Sequence, residues 1–220
     1  MTSNDSLMNI SPLDGRYQSK TSELSPYLSE FGLMKYRVKV EIEYLIMLHL
    51  GGIIHTVSID DPKIIYEEKK CTYDIVNKND SLVSSDDDQE KHKKKKYNYN
   101  LLRNIYHDFD IDDAKKIKEY EKTTNHDVKA VEYWIKEILI NPLQPDWIRQ
   151  LTPWVHFALT SQDINTSAFV MQLRYSFNNV IIPEFKNLGS LLNDLCQNNR
   201  NVVMLARTHG QPASPTTLGK

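Results

Sequence analysis

At 220 residues, with 40% hydrophobic and 25% charged side chains, the sequence has a globular composition and can bury a sizeable core in one large domain, or in one domain and part of another. A formal net charge of -2 gives no nucleic-acid footprint and no acidic tail; no apolar run reaches the roughly 18 residues of a membrane span, and MTSNDSLMNI is not a secretory signal. Two distant cysteines, Cys71 and Cys196, form no disulfide framework and fit a reducing, cytoplasmic compartment, while seven glycines and few strand-like stretches predict an all-α fold.

In chain order, SPLDGRY at 11–17 reads as a turn punctuated by Pro12, Asp14 and Gly15. Arg16 and Tyr17 close it, either as ordinary surface residues or as a guanidinium and a hydroxyl that bind an anion such as phosphate. Ser25-Pro26 reads as the cap and first-turn proline of a short helix ending near Gly32. A longer helix follows from about Leu33 to Leu50, with Met34, Val38, Ile42 and Leu45 on its core face and Gly51-Gly52 as its stop.

From about 67 to 100 the composition turns to Lys, Asn, Asp and Ser, with DDD at 86–88 and KKKK at 93–96. Such a stretch buries too little apolar area to offset the entropy of ordering it and reads as an inserted disordered loop. The acidic residues just before KKKK argue against a nucleic-acid patch. Order resumes at LLRNIYHDF. Thr124 to Asp127 has capping-box spacing, and Val128, Val131, Ile135 and Ile138 then repeat at helical intervals, with Glu132 and Lys136 pairing on the wet side. Asn125 and His126 therefore stand at a helix N-terminus, where they either cap the helix or meet an anionic ligand.

A helix near Ile148 to Leu159 leads to TSQDIN, where Thr160 or Ser161 caps the next helix and Asp163 sits in its first turn. That helix extends from about Gln162 to Asn199, with Pro183 as a possible kink and with Ile164, Ala168, Met171, Tyr175, Ile182, Phe185, Leu192 and Leu195 on its apolar positions. Near-heptad patterning over such a length predicts a bundle that can continue across subunits. Then comes RTHGQPASP at 207–215. Gly210, Pro212 and Pro215 place His209 on a shaped turn outside regular helix or strand, flanked by Thr208 and Gln211. This is either a solvent-exposed turn or an acid/base imidazole, whose ordinary pKa of about 6.5 suits proton transfer near neutrality. Ser214-Pro215 predicts the opening of a further helix, so the chain reads as a fragment of something longer.

TTNHD, TSQD and RTHGQ thus form three polar clusters at helix ends or turns, able to orient a polyanionic ligand and move a proton. There is no CxxC, HExxH, GxGxxG or phosphate-binding loop, so neither a metal nor a nucleotide cofactor is expected, and cofactor-free acid/base chemistry remains.

SPLDGRY, TTNHDVKAVEY, TSQDIN and RTHGQPASPTTLGK resemble the adenylosuccinate lyases of the bacterial-like branch, within the fumarase/aspartase superfamily. The likeness spans most of the chain outside its extreme N-terminus and the insertion. It implies a helical N-terminal domain over 1–145 and the beginning of a long-helix central bundle over 146–220, in a homotetramer whose active sites are shared between subunits. It implies elimination of fumarate from adenylosuccinate to give AMP, and from the related succinylated imidazole ribotide, with no cofactor. By the same resemblance, Arg16 and Tyr17 contact the nucleotide phosphate, and Asn125, His126 and Asp127 contact and orient the substrate. Thr160 and Ser161 hold the succinyl carboxylate; Thr208, His209 and Gln211 line the site, with His209 as general acid. The dipole of the helix that His126 opens favours its neutral imidazole and hence an orienting role.

Two departures stand out. Gln162 replaces the acidic residue usual in TSED, and the loop of type SSxMPxKxN that carries the family's serine base is not among these residues. The isolated fragment is therefore expected to be inactive. The alternatives are another fumarate-releasing lyase, such as argininosuccinate lyase, and a helical assembly fragment without catalysis.

Overall fold

A computed structural model describes residues 11–56 and 97–220. They are mostly helical and fall into two compact units, one of residues 11–33 and 169–220, the other of residues 34–56 and 97–168.

The second unit draws on α3 (Glu30–Leu50), α4 (Asn100–His107), α5 (Ile111–Thr124), α6 (Asp127–Leu139), α7 (Asp146–Arg149) and the start of α8 (Ser161–Ser176). Its core joins Val38, Ile42 and Leu45 of α3 to Leu102, Ile117, Val131, Trp134, Ile135 and Ile164, all closed to solvent. Met34 is buried too, so the stripe read from α3's periodicity is its core face. Gly51 continues the last turn of α3 through its N–H to the Met47 carbonyl, and Gly52 leaves it at φ 71°, as the expected stop requires.

Several local expectations need correction. A reciprocal capping box does occur, at Asp110 and Asp113 of α5; at α6 the cap is His126 rather than Thr124. Ser25 is the first residue of α2 (Ser25–Leu28), not its cap, and a hydroxyl cap comes four residues later, where Ser29 Oγ accepts from the Gly32 N–H at 3.2 Å. Gly32 does not stop a helix. It lies inside α3, where the close approach of the Tyr27 carbonyl oxygen leaves no room for a Cβ. The continuous helix expected at 148–159 is absent: Pro153 confines the chain to α7 and a 3₁₀ turn at Thr152–Trp154, and His156 and Ala158 then turn at φ 63° and 57°. Glu132 does pair with Lys136, but it faces inward at 3% exposure.

Residues 67–96 of the expected insertion lie outside the described residues. Its expected end at 97–100 is instead built into the fold. Thr56 Oγ1 donates to the Tyr97 hydroxyl at 3.2 Å, Tyr99 meets His49 Nδ1 at 3.2 Å, and Trp147 stacks on His49. The aromatic area of Tyr97 and Tyr99 outweighs the polar composition of their surroundings.

In the first unit, the SPLDGRY segment is a turn leading into α1 (Gln18–Thr21), as expected. The remainder of α8 passes through a π-helical segment, Phe177–Ile181, into α9 (Ile182–Asn198). The Ile182 N–H reaches back to the Phe177 carbonyl, so one extra residue enters the turn just before Pro183 and the helix continues without the clash a proline ring makes. The long helix therefore spans the predicted extent. Of its predicted apolar positions, Ile164 and Ala168 are buried, whereas Ile182, Phe185, Leu192 and Leu195 are exposed in the single chain.

Among the described residues, the clearest departure from an all-helical chain is a β-hairpin, β1 (Val203–Thr208) with β2 (Gln211–Thr217). It replaces both the irregular turn expected at RTHGQPASP and the helix expected from Ser214-Pro215. Val203 pairs with Thr217 and Leu205 with Pro215; Ala213 and Ser214 then bulge opposite Ala206, and the pairing resumes at Arg207 with Pro212. Proline removes donors, but a two-stranded ribbon has free edges and a bulge where none is needed.

Candidate active site

The junction of α5 and α6 carries the first cluster. α5 ends at Thr124, and Asn125 reverses the chain in the left-handed region at φ 49°, its N–H still bonded to the Glu121 carbonyl. His126 is extended and caps α6: its Nδ1 accepts from the Lys129 N–H at 3.2 Å, while Thr124 Oγ1 accepts from its backbone N–H at 3.3 Å. An accepting Nδ1 carries no proton, which leaves Nε2 as the donor edge of a neutral ring. The 3.6 Å approach of Nδ1 to Asp127 Oδ1 is therefore a close contact and not an ion pair in this arrangement.

Asp127 opens α6. Its Oδ1 accepts from the Val128 N–H at 2.9 Å and its Oδ2 from Arg37 Nη2 at 2.5 Å. Burial pushes this carboxyl up, but the Arg37 guanidinium and the hydrogen bonds outweigh it and hold it below the usual aspartate range.

The second cluster is at the start of α8. Thr160 is exposed and Ser161 half-buried; the Thr160 N–H donates to Asp163 Oδ2 at 2.8 Å, so Asp163 secures the helix entrance as expected. Gln162 donates to Thr166 Oγ1 at 3.0 Å, one turn along its own helix.

What joins these clusters is Arg37, which the sequence reading did not single out. Its side chain is 6% exposed; besides meeting Asp127, its Nε donates to Asn165 Oδ1 at 2.8 Å. One turn further along α3, Glu41 is fully buried, with Oε1 2.5 Å from His156 Nδ1 and Oε2 without a hydrogen-bond partner. Burial pushes the Glu41 carboxyl up, opposed by the bond and charge of His156. A signal for both was present: positions 37 and 41 interleave at helical spacing with the buried stripe 34, 38, 42 and 45, so charged residues were being carried to the interior.

The third cluster occupies the hairpin tip. Thr208 pairs with Gln211 across a two-residue turn whose His209 and Gly210 have φ 52° and 77°. Two consecutive positive values define the mirror-image turn that suits the twist of paired strands. Thr208, His209 and Gln211 are thereby held together, all exposed. In the same unit, the Arg16 guanidinium lies over the Tyr17 ring, 5.5 Å from its centroid, with both residues exposed.

The expected site residues therefore divide by unit. Asn125, His126, Asp127, Thr160 and Ser161 belong to one; Arg16, Tyr17, Thr208, His209 and Gln211 belong to the other. Among the described residues, no group of three or more His, Cys, Asp or Glu side chains is arranged to hold a metal ion, and no helix is long and apolar enough to cross a membrane.

The described residues are largely helical, with the polar clusters at the entrances of α6 and α8 and at the hairpin tip. The family model described as Lyase matches residues 15–220, and the chain belongs to that family. It is 43% identical over 217 residues to an adenylosuccinate lyase of Dictyostelium discoideum, a match covering 98% of this chain and 39% of that protein. The adenylosuccinate lyase of Escherichia coli (strain K12) is 35% identical over 215 residues, with the same two coverages. That of Vibrio cholerae is 37% identical over 214 residues, covering 97% of this chain. The chain thus spans 39% of the length of these relatives. In fold, it is similar to the crystal structure of β-carboxy-cis,cis-muconate cycloisomerase from Acinetobacter calcoaceticus, with a TM-score of 0.57, 16% identity, and coverage of 90% of this chain and 36% of that one.

Proposed function

We propose that this chain is the N-terminal portion of an adenylosuccinate lyase, catalysing release of fumarate from adenylosuccinate to give AMP and from the succinylated imidazole carboxamide ribotide of purine synthesis. The observation that carries this reading is 35–43% identity to relatives of that name along nearly the whole chain.

In this reaction a base removes a proton from the carbon next to a succinyl carboxylate, the C–N bond breaks, and an acid protonates the departing nitrogen. His209, exposed on a rigid two-residue turn, is the acid in this reading; Thr208 and Gln211 beside it line the site. Thr160 and Ser161 hold the succinyl carboxylate, where hydroxyl donors and the α8 N-terminus favour negative charge. Asn125, His126 and Asp127 contact and orient the substrate, His126 through its Nε2 edge. Arg16 and Tyr17 take the phosphate. The serine base comes from a segment outside these 220 residues, so this chain alone turns over no substrate.

Phe185, Leu188, Leu191, Leu192 and Leu195 are between 51% and 69% exposed along one helix, an apolar face too continuous for a free monomer surface. It supports burial of this face against further copies of the chain, which in this reading form a homotetramer with active sites shared between subunits; a cytoplasmic location belongs to the same reading. The test is His209→Ala in the full-length enzyme. Turnover followed by ultraviolet absorbance should drop by roughly two to four orders of magnitude, the usual scale for a positioned acid. Near-normal fumarate release would remove His209 from the role, and activity on argininosuccinate in preference to adenylosuccinate would point to a different lyase.

A further inference from the structure

We propose that Arg37 is a positioning residue that fixes the α6 entrance against the α8 entrance, so that the groups at 125–127 and at 160–161 meet the substrate as one preorganised set. This rests on the reading of those two clusters as parts of one substrate site.

The argument begins with burial. A guanidinium is costly to remove from water, and Arg37 is 6% exposed, so its bonds must be met within the protein. Both partners identified for it belong to motifs already singled out for chemistry. Nη2 donates to Asp127 at 2.5 Å and Nε to Asn165 at 2.8 Å. Asp127 follows His126 directly, and Asn165 is one helical turn beyond Ser161. The two donors are on one rigid planar group, so the distance between the two acceptors is set by guanidinium geometry rather than by two independent contacts. Asp127 also accepts from the Val128 N–H, which ties the same carboxylate to the α6 backbone. Arg37 is carried by the α3 stripe whose Val38 and Ile42 are wholly buried, so the clamp stands on a fixed element. A lysine could reach one acceptor but could not span both in this fork. Displacements of about 1 Å in groups that orient a substrate can lower turnover on the order of 100-fold.

The test has two arms. In the ¹⁵N-labelled full-length enzyme, Asp127→Asn should shift the Asn165 side-chain amide and the Ser161 backbone amide, because the disturbance passes through Arg37. In an Arg37→Lys background, chosen to keep the buried charge and the fold, the same Asp127→Asn change should leave both resonances where they were. In the full-length enzyme, Arg37→Lys should lower kcat per folded active site by about 10- to 100-fold well below its melting temperature. Transmission of the Asp127→Asn shift undiminished in the lysine background would overturn the proposal, as would kcat within twofold of wild type. If the wild-type enzyme shows no lyase turnover, the functional reading fails, while the resonance experiment still decides the clamp.

Discussion

Glu132 offers a quantitative check on how this structure is held. It is 3% exposed, and its two carboxylate oxygens take Lys129 Nζ at 2.8 Å and Lys136 Nζ at 2.6 Å. Hydrogen bonds to charged groups contribute about 1.5–3 kcal/mol each, but the lysine side chains are 43% and 29% exposed, and water screens the pairs toward about 1 kcal/mol apiece. Glu132→Gln, which keeps the volume and one acceptor, should therefore cost about 1–2 kcal/mol at neutral pH. The sign of its pH dependence follows from the carboxyl. Burial pushes it up, but the Lys129 and Lys136 bonds prevail and hold it below the usual glutamate value. A depressed folded-state pKa gives stability that is fully present above the ordinary value of about 4.3 and is lost as pH falls through the folded value. Urea unfolding of wild type and Glu132→Gln, followed by circular dichroism, should thus show a gap at pH 7 that shrinks as the solution is acidified through that window, from about 4.3 down through the folded value. A gap of the same size across the acid range, or a stabilised glutamine variant at neutral pH, would refute the reasoning.

Three further outcomes are expected. Leu45→Ala, at a side chain 1% exposed, should cost about 2–5 kcal/mol in urea unfolding, and a loss under 1 kcal/mol would contradict the core assignment of α3. Gly32→Ala should destabilise by about 1–3 kcal/mol, because its Cβ meets backbone at the Tyr27 carbonyl and no side chain can yield; a neutral thermal melt would show that the approach is looser. Gly210→Ala forces a Cβ onto a backbone at φ 77° and should weaken the hairpin by roughly 1 kcal/mol, read as faster amide exchange at Thr208 and Gln211 and absent if the turn has another geometry.

The sequence by itself determined the helices with strong apolar periodicity. Met34, Val38, Ile42 and Leu45, and likewise Val128, Val131 and Ile135, are buried as their spacing required, because a helix with one apolar stripe has one stable way to face a core. It also determined where polar groups interrupt those helices: His126 and Asp127 open α6, Thr160 precedes α8, and Thr208, His209 and Gln211 share one turn. Tertiary structure decided the rest. Pro212 and Pro215 argued locally against a strand, yet Val203–Thr208 offers a pairing partner, and a bulge at Ala213-Ser214 absorbs the mismatch; pairing between strands is invisible to a scan of neighbours. Likewise, nothing local said that Glu132 faces inward, since its two lysine partners neutralise a burial that its chemistry alone forbids. Arg37 was legible only as a charge out of place in an apolar stripe. Its partners lie 90 and 128 residues away, and only the packing of α3 against the entrances of α6 and α8 turns that misplaced charge into the link between two clusters the sequence showed separately.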